Sequence, residues 1–74
     1  MYQVKVDMND ILNDQVIALY VERFNVMNDA QVAYVSRVNQ YCTNRDCTVE
    51  YDITLAEIEP KEGHNDIIYR TICK

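Results

Sequence analysis

The first eight residues alternate. Tyr2, Val4, Val6 and Met8 fall on one side and Gln3, Lys5 and Asp7 on the other, the period-two pattern of a strand with one buried face. From Asn9 the period changes. Leu12, Val16, Ile17, Tyr20, Phe24 and Met27 recur at helical spacing, as do Tyr34, Val35, Val38, Tyr41 and Cys42, so each set reads as an apolar helical stripe. Asn28, with Gln31 three residues on, fits a capping box, and Met27 and Val32 occupy the staple positions around it. That pattern predicts a second helix starting at Asn28.

Two other readings of residues 9–42 stay open. Ile17, Tyr20, Phe24, Met27, Gln31, Tyr34, Val38 and Tyr41 step by three and four throughout, as one long coiled-coil helix would. Alternatively Gln15–Val21, rich in β-branched residues, is a buried strand.

Alternation returns after Thr48, with Val49, Tyr51, Ile53 and Leu55 on one face and Glu50, Asp52 and Thr54 on the other. The chain's only Pro and Gly, Pro60 and Gly63, stand together in the polar stretch Glu59–Asp66 and predict a reversal. A third strand follows over Ile67–Cys73, with Ile67 and Tyr69 on one face and Ile68 and Ile72 flanking Arg70 on the other. The order strand, helix, helix, strand, strand predicts one small α+β domain over residues 1–74, a sheet of about three strands with two helices on one face. One long helix with a β-hairpin is the alternative architecture.

Composition narrows the function. A net charge of −5 and a pI near 4.5 disfavour nucleic-acid backbones and anionic membranes, whose binding relies on Lys and Arg. A basic protein surface is the natural partner. No apolar run approaches the ~20 residues of a membrane span, and the N-terminus does not read as a signal sequence, so the expected location is the cytoplasm. At 74 residues the core of such a domain supplies about 3–5 kcal/mol, and a metal, a disulfide or a second subunit often adds to it. The third strand, apolar on both faces, points to a homodimer formed there or along the helical seam.

Chemistry-bearing motifs are sparse. Cys42, Cys47, His64 and Cys73 form an allowed zinc set, but Cys42 belongs to an apolar stripe, and reduced thiols with no cofactor are the expectation. A Cys42–Cys47 disulfide is sterically possible but unexpected in a reducing cytosol. His64 is the only histidine, and no carboxylate pair is marked out for acid–base work, so the chain does not read as an enzyme. The recurring Asn-Asp dipeptides lack the Gly and alternating oxygens of a calcium loop and suit capping and turns.

The acidic stretch remains. Asp46, Glu50, Asp52, Glu57, Glu59, Glu62 and Asp66 face Lys61 alone, a local charge of −6 against +1 for the rest of the chain. Glu50 and Asp52 on one strand face stand roughly 6.5–7 Å apart, comparable to successive phosphates of a nucleic-acid strand. The resulting expectation is an acidic inhibitor or adaptor, of the size and charge found among phage and mobile-element proteins. Its docking set is Glu50, Asp52, Glu57, Glu59 and Glu62, with Tyr51 or Tyr69 as an apolar anchor. A self-associating assembly protein and a small zinc module are the alternatives.

Overall fold

A computed structural model describes residues 1–43, 48–59 and 64–73, with the backbone alone for residues 59, 64 and 65. Four strands and one helix follow in the order β1 (Tyr2–Asp10), β2 (Gln15–Phe24), α1 (Met27–Cys42), β3 (Val49–Glu59) and β4 (His64–Cys73). The strands form one sheet in the order β2-β1-β3-β4, antiparallel throughout. The molecule is a flat two-layer α+β slab, 38 × 23 × 15 Å.

Where two helices were expected there is a β-hairpin and one helix. Residues 9–26 do not form a helix, alone or as part of one long one. β1 and β2 are joined by Ile11–Asp14, a turn that uses neither Gly nor Pro. The Asp10 carboxylate accepts hydrogen bonds from the backbone N–H groups of Leu12 (3.2 Å) and Asn13 (3.3 Å) and from the Asn13 side-chain amide (2.8 Å). Asp14 takes a positive φ of 52°, a left-handed conformation that Asp and Asn tolerate better than most residues. The Asn-Asp pairs thus do the work usually given to glycine. Once the chain reverses there, the β-branched residues Val16, Ile17 and Val21 extend along β1, and the strand reading of Gln15–Val21 is the one realised. That strand lies at the sheet's edge, however, and is mostly exposed.

The helix begins at Met27, with Val26 as its N-cap and no side-chain capping bond. The capping box at Asn28 is not formed: Gln31 instead donates to the Tyr69 hydroxyl at 3.4 Å. At the other end the Thr43 hydroxyl donates to the Asn39 carbonyl at 3.0 Å, satisfying one of the last orphan acceptors. Ala30 and Tyr34 are buried, with Met27, Ala33, Val38, Tyr41 and Cys42 packed beside them, a stripe of helical period. Val35, assigned to that stripe from its spacing, points outward and is exposed.

The core sits between this stripe and the two central strands. The register pairs Val4 with Leu55 and Val6 with Ile53, and all four side chains are fully buried. Partners in a ladder share a face. The helix-covered face therefore carries Tyr2, Val4, Val6 and Met8 with Tyr51, Ile53 and Leu55, and the opposite, open face carries Gln3, Lys5, Asp7 and Asn9 with Glu50, Asp52, Thr54 and Ala56. Register shifts at Val6/Asp7 and at Leu55/Ala56 leave Leu19 in β2 and Ile68 in β4 as the extra residues. The second bulge separates Ile67 from Tyr69. Ile67 pairs with Ala56 and Tyr69 with Leu55, so the two lie on opposite faces and not together, as strict alternation implied.

Cys42 and Cys73 are joined in a disulfide with a Cα–Cα distance of 5.3 Å, in place of the free thiols expected from composition. The bond ties the end of α1 to the end of β4, 31 residues apart in sequence. The predicted reversal at Pro60–Gly63 lies outside the described residues.

Two outcomes check this architecture. Asp14→Gly is neutral or stabilising by up to about 1 kcal/mol in urea denaturation, because glycine carries no penalty at positive φ; in a helix the same change costs about 0.3 kcal/mol. Reduction of the disulfide, or Cys73→Ser, lowers unfolding free energy by about 3–4 kcal/mol on the loop-closure model for a loop of this length.

Candidate functional site

The open face is built around charges on three neighbouring strands. Asp7 of β1 and Asp52 of β3 are direct cross-strand partners, and Asn9 faces Glu50 one pair further along. Like charges placed directly opposite repel. Two cations offset that repulsion from either side: Lys5 Nζ lies 3.6 Å from the Asp7 carboxylate, and Arg70 grips Asp52 with both prongs, Nε to Oδ1 at 3.1 Å and Nη2 to Oδ2 at 2.7 Å. Planar two-pronged pairing of this kind is the strongest form of exposed ion pair. The Arg70 guanidinium is accordingly held even more firmly in its charged form, chiefly by the Asp52 hydrogen bonds and charge and to a lesser extent by Glu50. Arg23 of β2 closes the row by donating to the Gln3 side-chain oxygen at 3.3 Å.

The docking set chosen from sequence is divided between the two faces. Glu50 and Asp52 lie on the open face. Tyr51 is on the helix-covered face, where its ring meets Tyr41 at 5.0 Å. Glu57 pairs with Tyr2 and so lies on that face too. Tyr69 also belongs there, stacked on Tyr34 with centroids 5.8 Å apart. Glu59 ends β3, and Glu62 lies outside the described residues. The tyrosines therefore serve the core and its rim and are not set beside Glu50 and Asp52. Lys5, Asp7 and Arg70 complete the charged row, and the alternation of the first strand already placed Lys5 and Asp7 on its polar side; which carboxylate they would meet depended on a register that no local pattern carries.

Of the zinc set, Cys42 and Cys73 are bonded to each other. Cys47 and the His64 side chain lie outside the described residues, among which no group of three or more metal-ligating side chains converges. No helix among the described residues is long and apolar enough to cross a membrane.

Two further features lie on the helix-covered side. Between α1 and β4 runs an open groove of about 440 Å³ lined by Asn28, Gln31, Val32, Tyr34, Val35 and Tyr69. Its Tyr34 hydroxyl is hydrogen-bonded to Thr71. On the helix side of β2, the Arg37 guanidinium lies 3.8 Å from the centre of the Tyr20 ring, a cation–π contact, and the Tyr20 hydroxyl donates to Glu22. The Tyr20 phenol is pushed up from its ordinary pKa, mainly by burial and then by Glu22, with Arg37 opposing.

No protein-family model, curated protein or solved structure matches this chain. Function has to be read from its own residues.

The charged row has a measurable signature. Arg70→Gln lowers the urea midpoint at low ionic strength, and the loss shrinks at about 0.5 M salt, where the Debye length falls to a few ångströms. Adding Asp7→Asn to Arg70→Gln restores much of the loss, since it removes the carboxylate that Asp52 then faces.

Proposed function

We propose that this chain is a non-catalytic protein-binding module, an acidic inhibitor or adaptor that docks on a basic protein surface. The observation that carries the reading is the juxtaposition of Asp7, Asp52 and Glu50 on the sheet face opposite the helix. Lys5 and Arg70 already pair with Asp7 and Asp52, so the carboxylate that this reading offers to a partner's cation is Glu50, beside them on the same face. The surrounding −6 of residues 46–66 adds a longer-range field that steers a basic partner towards this half of the molecule. A cytosolic location belongs to the same proposal, and there the Cys42–Cys73 pair would be held as thiols.

Glu50 is the charge to change, because Asp52 is engaged by Arg70 and its replacement would also disturb the fold. An arginine-rich peptide, titrated by fluorescence anisotropy, serves as probe. Binding is expected at low ionic strength, falling steeply with salt, and Glu50→Lys is expected to weaken it about tenfold. Asp29→Lys makes the same charge change in the first turn of α1, on the other side of the sheet, and should weaken it far less. Equal losses from the two changes, or no binding at low salt, overturn the reading.

A further inference from the structure

The exposed large apolar residues gather at the two outer strands, Ile67, Ile68, Tyr69 and Ile72 on β4 and a larger set at the first hairpin. Ile11, Leu12, Val16, Ile17, Leu19 and Val21 all fall within the first hairpin, and four of them are more than half exposed: Leu12 at 76%, Val16 at 70%, and Ile11 and Val21 at 51%. They surround an edge. Among the described residues β2 has only β1 as a hydrogen-bonded neighbour, so there the outward N–H and C=O groups of a ten-residue strand lack ladder partners. Natural edge strands are commonly guarded by Pro, by Lys or by inward-pointing charges. Gln15–Val21 contains none of these; the guards of β2 are the bulge at Leu19 and, at its far end, Glu22, which pairs with Val4 and so lies on the helix-covered face.

We infer that β2 is the interface of a homodimer in which two copies of this strand pair antiparallel, joining two four-stranded sheets into one of eight. This goes beyond the docking role proposed above and uses an edge of the sheet instead of its open face. Three considerations select a second copy as the occupant. The first is charge. The only ionic residues of β2 are Glu22 and Arg23, which cancel and sit at one end, so antiparallel pairing keeps the two sets apart and leaves the middle of the ladder free of charge. The strongly acidic segment lies instead on the β3–β4 half, and like charge holds a second copy away from that edge.

The second is self-complementarity. Apolar residues stand at both ends of the strand, Ile11 and Leu12 before it and Val26, 54% exposed, after it. A two-fold axis through the strand brings the leading end of one copy to the trailing end of the other, as an isologous contact requires. The third is size. The six exposed side chains offer on the order of 500 Å² per subunit, part of which pairing buries, so the interface falls at or below the lower bound of about 1,200 Å² for a stable one, as suits a dimer that dissociates on dilution.

Sedimentation of the whole chain across a hundredfold concentration range tests the inference. The expected species is about 17 kDa, twice the 8.7 kDa of one chain, with dissociation on dilution. Val16→Lys with Leu19→Lys should yield a folded monomer, judged by unchanged circular dichroism. Ile67→Lys with Ile72→Lys, the same charge change on β4, should leave the dimer intact. A monomer at every concentration, a dimer that survives the β2 changes, loss of the dimer through the β4 changes instead, or an open-ended series of oligomers overturns the inference. If the β2 variant fails to fold, hydrogen exchange of the unmodified chain decides. Amides of Gln15–Phe24 should gain protection at high concentration while those of His64–Cys73 do not, and equal behaviour of the two edges overturns it.

Discussion

Everything in this fold hangs on the pairing of β1 with β3. Val4 against Leu55 and Val6 against Ile53 place four fully buried side chains beneath Ala30 and Tyr34 of the helix, and no other part of the described structure has such a core. A non-local pair of this kind is costly to form, because closing the intervening chain loses entropy before any contact is gained. Local hairpins ease the search. Each central strand carries its own partner, β2 or β4, and the two hairpins then need to meet only once, along β1 and β3.

That single seam also determines what each face presents. With the helix over one side, the same register that buries Val4 and Val6 lines up Lys5, Asp7 and Asn9 beside Glu50, Asp52 and Thr54 on the other. A shift of one residue would exchange the faces entirely. The opposition of Asp7 and Asp52 is thus a consequence of core packing, and Lys5 and Arg70 counter the repulsion it creates. Core and charged row cannot be altered independently: a change that slips the seam scatters the carboxylates as well.

The same economy leaves the edges exposed. One helix of 16 residues spans the middle of the sheet but covers β2 and β4 only in part, so the outer strands keep much of their apolar surface in contact with water. The disulfide secures the β4 side by fastening Cys73 to the end of α1. On the β2 side the tie is the Arg37–Tyr20 contact.

Much of the fold was legible in the chain itself. The alternation of residues 2–8 and 49–55, the helical period beyond Met27 and the apolar run of Ile67–Cys73 were enough for the α+β class, for three of the four strands and for a helix, because burial of one face imposes its period on the sequence directly. The charge segregation into residues 46–66 was equally plain. The first hairpin was not. Leu12, Val16, Ile17, Tyr20 and Phe24 match a helical stripe and a two-sided edge strand about equally well, and the turn that decides between them is made by Asp10 and Asp14, through a side-chain cap and a left-handed backbone that only the folded chain displays. Tertiary structure alone decided the β1–β3 register and the two bulges. It therefore decided that Asp7 meets Asp52, that Arg70 reaches across to it, that Ile67 and Tyr69 part company, and that Cys42 finds Cys73. Those are contacts between residues distant in sequence, set by which pairing buries the most apolar surface, and no local pattern records that choice.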